Sequence, residues 1–151
     1  MKIIVTSDLH GNKKVLDYIL INFDADYYYD CGDSQLSDYE LKNFYSVLGN
    51  CDFNPFPRYR IVNINDNLRI FITHGHLYSD LKMIEIAKQN NCKIIIHGHT
   101  HKKRYEEING ITILNPGSIS RPRSNDSNTF LVIDYDEQDD SIVYDFIKIT
   151  L

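Results

Sequence analysis

Seven residues in five short segments could bind metal ions through carboxylate, imidazole or amide atoms. They are Asp8, His10, Asp33, Asn50, His74, His99 and His101. All six histidines of the 151-residue chain fall into three short clusters, which would be unusual if they served only for packing. Carboxylate, imidazole and amide oxygen together suit divalent ions such as Mn²⁺, Fe²⁺, Zn²⁺ and Ni²⁺. A thiolate-rich structural zinc site would need cysteines at ligand spacing, and this chain has none.

Seven candidate ligands are too many for one ion once room for water and a substrate is kept. They fit two ions that share a bridging carboxylate. Two metals about 3.5–4 Å apart can hold a hydroxide between them and stabilise a phosphoryl group during in-line attack. The residue types therefore predict a dinuclear centre of the kind that hydrolyses phosphate esters.

The elements predicted around these residues place them directly after strands. The β-branched run Lys2–Thr6 predicts a buried strand before Asp8. Further strands are predicted over 25–31, 45–48, 60–64, 68–73, 93–96, 108–114 (with a turn at Asn109 and Gly110), 129–135 and 141–149. Helices are predicted over 12–22, 36–44 and 80–89, and a turn-rich connector over 54–57. Ligands of α/β sheets gather at the carboxyl ends of strands, so the five loops should converge.

Alternation of strands and helices followed by a run of strands predicts an α/β protein with one mixed sheet or two sheets. The length predicts a single domain over 1–151. The hydrophobic fraction of 42% and the charged fraction of 25% are ordinary for a globular protein. An N-terminal run too short for a secretory signal, no stretch of roughly 20 apolar residues, and three widely spaced cysteines predict a cytoplasmic protein with reduced thiols and no membrane segment.

The net charge of −5 argues against general nucleic-acid binding, which normally needs a basic surface. It leaves open a nucleotide or short oligonucleotide substrate, because a metal pair can supply positive charge locally.

The candidate ligands lie in five motifs that resemble, in order, those of the calcineurin-like metallophosphoesterases. The motifs are Asp8-Leu9-His10, Gly32-Asp33, Gly49-Asn50-Cys51-Asp52, Thr73-His74-Gly75-His76 and Gly98-His99-Thr100-His101. A sixth segment, Asn115-Pro116-Gly117-Ser118, extends the similarity to most of the chain. The compact, cap-free phosphodiesterases of bacteria and archaea resemble this pattern most. The resemblance implies a four-layer αββα sandwich, in which two facing mixed sheets are flanked by helices.

The resemblance also implies how the ligands divide between two metals. One ion would be bound by Asp8, His10, Asp33 and His101, and the other by Asp33, Asn50, His74 and His99, with Asp33 as the bridge. We expect two divalent ions, with Mn²⁺ favoured and Fe²⁺, Ni²⁺ or Zn²⁺ as alternatives. Metal-bound hydroxide would hydrolyse a small phosphate ester, most simply a phosphodiester, although phosphomonoesters are not excluded.

One position departs from the family pattern. Many members have a histidine directly after the asparagine ligand, where it can protonate the leaving group, whereas this chain has Cys51. An ordinary thiol, with a pKa near 8.5, is a poor acid at neutral pH. We therefore predict that His76, the spare imidazole nearest a ligand, is the general acid, with an orienting role as the alternative. Cys51 and Cys92 are expected to pack as small hydrophobes.

Other residues near the motifs have simpler interpretations. His97 ends an apolar strand and is expected to pack or to support a ligand. Arg121 and Arg123 could contact a substrate phosphate, although each is more simply an exposed structural arginine.

A protein-interaction scaffold is the alternative function, since a retromer subunit of similar fold binds protein partners and has lost part of the ligand set. In this chain all seven ligand positions are filled, which favours an enzyme. Enzymes of the family often self-associate, so the resemblance also allows a homo-oligomer.

Overall fold

The computed structural model describes residues 1–53, 55–123 and 126–150, so Asn54 of the predicted connector lies outside the described residues. Strands and helices alternate at first, and the last four elements are strands. They are β1 (Lys2–Thr6), α1 (Lys13–Asn22), β2 (Tyr27–Asp30), α2 (Asp38–Leu41), β3 (Tyr45–Ser46), β4 (Tyr59–Asn65), β5 (Leu68–Thr73), α3 (Asp80–Gln89), β6 (Ile94–Ile96), β7 (Lys103–Ile108), β8 (Ile111–Pro116), β9 (Thr129–Asp136) and β10 (Ser141–Lys148).

The strands form two mixed sheets of five strands each. The first has the order β10-β9-β1-β2-β3, with β1, β2 and β3 parallel and β9 antiparallel to both of its neighbours. The second has the order β4-β5-β6-β8-β7, with β5, β6 and β8 parallel and both edge strands antiparallel. Within each sheet, the three parallel strands therefore deliver their following loops to the same edge.

Apolar side chains on both faces of the parallel strands hold the layers together. In β1, Ile3 and Val5 face the core between the two sheets, whereas Ile4 packs with α1 and α2. In β6, Ile95 packs with α3, and its two isoleucine neighbours face the core between the sheets. Such alternation is what a strand buried on both faces requires. Helices α1 and α2, the two sheets and α3 make four layers, which confirms the predicted αββα sandwich.

Two elements differ from the sequence prediction. The helix predicted over 36–44 is a single turn, because Ser37 begins it in a capping box with Glu40, and Lys42 ends it with a φ of 55°. Strand β7 was not predicted, since Lys103–Ile108 is mostly charged and exposed and shows no apolar alternation.

Most other predicted elements are confirmed. β1, β5 and α3 have the predicted bounds, and Ser79 caps α3 by accepting a hydrogen bond from the Lys82 amide at 3.2 Å. β2 and β3 are shorter than predicted, and β8 begins after the predicted Asn109-Gly110 turn. The three cysteines are free thiols. In the described ranges, no helix combines the length and the apolar character that crossing a membrane requires.

Candidate metal centre

The seven predicted ligands come together at the edge where the parallel strands end. Asp8 and His10 follow β1, and Asp33 follows β2. The short β3 precedes Asn50, β5 runs directly into His74, and β6 precedes His99 and His101. Carboxylate and imidazole atoms of these loops approach closely enough to share a metal ion in two overlapping groups: Asp8 with His10 and His101, and Asp8 with Asp33 and His74.

The Asp8 carboxylate has one oxygen that is held in place and one that has no hydrogen bond. Oδ2 accepts hydrogen bonds from the Ser7 hydroxyl at 2.6 Å and the His99 amide at 3.2 Å. Oδ1 is buried and accepts none. The Nε2 atom of His101 lies 3.3 Å from it, and those of His10 and His74 lie 3.9 Å away. A buried carboxylate oxygen surrounded by imidazole nitrogens requires a cation or protons for compensation.

Hydrogen bonds donated by Nδ1 fix the orientation of His10 and His101. His10 Nδ1 lies 2.9 Å from the Gln35 side-chain oxygen, and His101 Nδ1 lies 2.6 Å from the Arg121 carbonyl. These oxygens can only accept, so each Nδ1 donates, and each neutral ring has its lone pair on Nε2. The two Nε2 atoms are 3.3 Å apart. Facing lone pairs at this distance suit a metal ion bound between them.

Nitrogen atoms of two other histidines face the side-chain oxygen of Asn50. His74 Nδ1 donates to the Cys31 carbonyl at 2.8 Å, which leaves Nε2 3.0 Å from Asn50 Oδ1 and 3.2 Å from Asp33 Oδ2. His99 Nδ1 also lies 3.0 Å from Asn50 Oδ1. We refer to Asn50, His74 and His99 as the Asn50 half of the site, and to Asp8, His10 and His101 as the Asp8 half.

Asp33 lies between the two halves. Its Oδ1 accepts a hydrogen bond from the Cys51 amide at 2.7 Å, whereas Oδ2 faces His74. Burial alone would raise the pKa of this carboxyl, but the hydrogen bonds from His74 and Cys51 lower it to about 2. At His74, burial lowers the pKa of the imidazole, whereas the hydrogen bond with Asp33 and the nearby carboxylate charges raise it. The carboxylates have the larger effect, so the pKa of His74 is raised.

The backbone of the site is held in uncommon conformations. Asp8, His10, Asp33, His99 and His101 have φ values between 46° and 75°. Left-handed backbone in non-glycine residues costs on the order of 1 kcal/mol each, and it persists only where the surroundings enforce it.

Asp52 is one residue that enforces this geometry. Its carboxylate accepts hydrogen bonds from the amides of Asp33, Gln35 and Gly49 at 2.8–2.9 Å, so it ties the loops after β2 and β3 together. Gly49 itself contacts Asp33 so closely that a Cβ there would collide with the carboxylate. Neither Asp52 nor Gln35 was predicted from the sequence to have a role, although Asp52 lies within one of the five motifs.

The predicted general acid, His76, lies beside the Asn50 half. Its ring centroid is 5.3 Å from that of His74 and 6.2 Å from that of His99. Its Nδ1 is buried and has no hydrogen-bond partner within the described residues, and burial lowers the pKa of the imidazole. A neutral, unpaired imidazole next to the candidate ligands can either transfer a proton or orient a neighbour, so its role stays a prediction.

The expectations for His97, Cys92 and Cys51 have different outcomes. His97 packs as expected, because its Nδ1 donates to the Gly98 carbonyl at 2.9 Å and its Nε2 accepts from Arg104 at 3.1 Å. Cys92 is buried as expected. The expectation that Cys51 packs as a hydrophobe is wrong, because its sulfur lies within 4.8 Å of ligand atoms of His10 and Asp33 and lines the cleft.

The ligand atoms open into a cleft of about 460 Å³, which is large enough for a small phosphate ester. Arg121 and Arg123 form part of its wall. Both residues therefore border the position that a substrate would occupy, in line with one of the two interpretations made from the sequence.

Comparison with known protein families gives a match along most of the chain. The family model described as a calcineurin-like phosphoesterase superfamily domain matches residues 1–138. YsnB of Bacillus subtilis, a probable metallophosphoesterase, is 30% identical over 141 residues, which cover 88% of this chain and 83% of that protein. The phosphodiesterase MJ0936 of Methanocaldococcus jannaschii is 42% identical over 52 residues, which cover 34% of this chain and 30% of that protein.

Solved structures give the same result for the fold. A predicted phosphoesterase from Streptococcus pneumoniae superposes with a TM-score of 0.87 at 28% identity, covering 97% of this chain and 88% of that one. Vps29 of Entamoeba histolytica superposes with a TM-score of 0.74 at 21% identity, covering 99% and 100%. The second likeness concerns the fold alone.

Proposed function

The chain belongs to the calcineurin-like phosphoesterase superfamily, and from this premise we propose that it is a metal-dependent phosphodiesterase with a dinuclear centre. The observation that carries the proposal is the buried Asp8 Oδ1, which has no hydrogen bond and is faced by three imidazole nitrogens. Each of these imidazoles donates a hydrogen bond from Nδ1, which leaves the lone pair on Nε2 free for a metal.

The ligands divide as the two halves of the site suggest. Asp8, His10 and His101 would hold one ion, and Asn50, His74 and His99 the other, with Asp33 contributing to both. We propose Mn²⁺ as the metal, with Fe²⁺, Ni²⁺ or Zn²⁺ as alternatives, because carboxylate, imidazole and amide ligands suit all of these ions. When bound, such a pair lowers the pKa of water and supplies positive charge to the phosphoryl oxygens.

The protein's own residues have three tasks in this proposal. Asp8, Asp33 and the histidines are preorganised by hydrogen bonds, so little reorganisation is needed when charge develops on the phosphoryl group. Arg121 and Arg123 on the cleft wall can bind the oxygens of the ester. His76, whose unpaired Nδ1 lies beside the Asn50 half, would donate a proton to the leaving oxygen, and it must first take up that proton, because burial lowers the pKa of its imidazole.

A diester substrate is supported by the open cleft and by the similarity to one relative that is named a phosphodiesterase, MJ0936. Cys51 stands at the position where many superfamily members have a histidine that acts as the general acid. A thiol is a weak proton donor, so it gives little help to a poor leaving group. Phosphomonoesters are the alternative substrate class. The proposal also includes a cytoplasmic location and leaves the oligomeric state to measurement.

A protein-interaction scaffold is the second candidate function, because Vps29, named for its part in vacuolar protein sorting, has the same fold. That likeness is too distant to transfer a function. The complete set of seven candidate ligands in this chain supports the enzyme.

The test is hydrolysis of bis(p-nitrophenyl) phosphate by chelator-treated protein, with and without added Mn²⁺. We expect turnover only when metal is restored. Turnover of p-nitrophenyl phosphate alone would replace the diester by a monoester. Metal binding without hydrolysis of either compound would favour the scaffold.

A further inference from the structure

A second cavity, of about 840 Å³, lies beside the metal cleft and is lined by basic side chains. His99 and Arg123 line both cavities, so the two are adjacent. We call this second cavity the basic groove. Its other basic residues are Lys102, Lys103 and Arg104, which lie at the start of β7 and in the turn before it.

Most of the positive charge in the basic groove is uncompensated. Arg104 is the exception, because it pairs with both carboxylate oxygens of Asp80, at 2.8 and 3.0 Å, and with Glu106 at 3.3 Å. Lys102, Lys103 and Arg123 are exposed, and their side chains make no ion pair with any residue in the described ranges.

The nearest acidic group reduces this charge only in part. Asp126 accepts a hydrogen bond from the backbone amide of Lys103 at 2.6 Å, which leaves the lysine ammonium group free. The chain as a whole has a net charge of −5, so a cluster of three unpaired cations beside the candidate site is a local reversal of sign.

We propose that the basic groove binds a second phosphate group of the substrate, next to the diester that occupies the metal cleft. This inference rests on the proposed function and adds a substrate class to it: phosphodiesters that carry a further phosphate, such as a nucleoside 5′-phosphodiester with a 3′-phosphate or a single-stranded oligonucleotide with a terminal phosphate. Lysine and arginine form charge-assisted hydrogen bonds with phosphate, and such bonds are about twice as strong as neutral ones.

Two chromogenic diesters test the inference, because they differ only in the second phosphate. They are thymidine 5′-(p-nitrophenyl phosphate) and the same compound with a 3′-phosphate. We expect the wild-type protein to prefer the second compound by about 5- to 10-fold in kcat/KM, as two or three exposed ion pairs allow. The preference should fall towards one in Lys102→Ala/Arg123→Ala, and it should weaken with increasing salt.

The control removes the same charge from elsewhere. Lys14 and Lys88 are exposed lysines of α1 and α3, and the Lys14→Ala/Lys88→Ala variant should keep the wild-type preference. Equal preference in wild-type protein and in Lys102→Ala/Arg123→Ala would overturn the inference.

Direct binding separates a failure of the inference from a failure of the proposed function. Titration calorimetry with thymidine 3′,5′-bisphosphate and with a thymidine hexanucleotide needs no turnover. Weaker binding of either probe by Lys102→Ala/Lys103→Ala, which leaves Arg123 of the cleft wall in place, supports the groove even if neither diester is hydrolysed, and the probe that binds more tightly identifies the substrate class. Unchanged binding of both probes would refute the groove, whatever the diesterase activity.

Discussion

The two halves of the candidate metal site differ in how firmly the protein holds them. In the Asp8 half, the side chains of Asp8, His10 and His101 are at most 8% exposed, and both imidazoles are oriented by acceptors at Nδ1. In the Asn50 half only His74 is buried and oriented in this way, whereas Asn50 and His99 are exposed.

This difference indicates that the two ions would not be equivalent. Ligands that are already oriented lose less conformational freedom on binding, so the Asp8 half should bind its ion more tightly. The Asn50 half should exchange its ion more readily and leave more room for the substrate. The four predictions that follow test or sharpen this contrast, beginning with the substitution that should abolish it.

Asp33→Asn should have the largest effect, because Asp33 faces both halves. We expect kcat to fall by about 1,000-fold and the bound metal to fall below two ions per chain, since a neutral amide cannot bridge two cations. Metal analysis and the diester assay measure the two effects. Asp145→Asn, an exposed change on β10, is the control. Wild-type activity and metal content in Asp33→Asn would remove the assignment of a bridge.

Asp8→Asn and Asn50→Ala compare the two halves directly. After dialysis, Asn50→Ala should retain about one ion per chain and lose about 10- to 100-fold in activity, whereas Asp8→Asn should retain less metal. Elemental analysis of both variants under identical conditions provides the comparison. More metal in Asp8→Asn than in Asn50→Ala would reverse our ranking of the halves.

Asp30→Asn concerns the support beneath both halves. Asp30 is fully buried and accepts hydrogen bonds from Thr6, Ser46 and the Gly32 amide, so it connects the strands that lead to Asp33 and Asn50. Burial raises the pKa of this carboxyl to about 7, even though these hydrogen bonds favour the charged form.

The raised pKa predicts how stability depends on pH. Below about pH 4 both folded and unfolded chains hold the Asp30 proton, and the unfolded chain loses it first as the pH rises. The contribution of protonated Asp30 to stability is therefore lost between about pH 4 and pH 7, by up to about 4 kcal/mol. Urea unfolding of metal-free protein at pH 5 and pH 8 should show a smaller difference for Asp30→Asn than for wild type. An equal difference would show that Asp30 does not titrate as proposed.

Cys51→Ala should have the smallest effect, although the thiol lies beside His10 and Asp33. We expect kcat/KM within about threefold of wild type, because the Cys51 amide, which holds Asp33, is retained. Loss of a general acid would cost about 100-fold or more. A loss of that size with metal retained would make Cys51 the acid in place of His76.

The sequence predicted the fold and the convergence of the candidate ligands at one edge of the sheets, for physical reasons. Buried parallel strands need apolar residues on both faces, so runs such as Lys2–Thr6 and Ile94–Ile96 are easily recognised. The polar residues after such strands must then share one edge of the sheet, which brought Asp8, Asp33 and His99 into a single prediction.

The features that the sequence did not predict depend on tertiary contacts. Nothing local indicates that Gln35 orients His10, because the two residues are 25 positions apart. The helix predicted over 36–44 is longer than the single turn that Ser37 and Lys42 allow. Strand β7 lies at the edge of its sheet and has solvent along one side. It can therefore carry charged residues without an alternation of apolar and polar side chains.

The central position of β1 determines when the site can be completed during synthesis. Its neighbours are β2 and β9, and β9 ends at Asp136, far along the chain. All seven candidate ligands have been synthesised by His101, yet the Ser118 hydroxyl that holds the Asp8 carbonyl at 2.9 Å and the strand that pairs with β1 come later. Long-range pairing of this kind is slow, because the intervening chain must be ordered first. We therefore expect metal capture to be a late event in folding, because the site would be complete only when β9 has paired with β1.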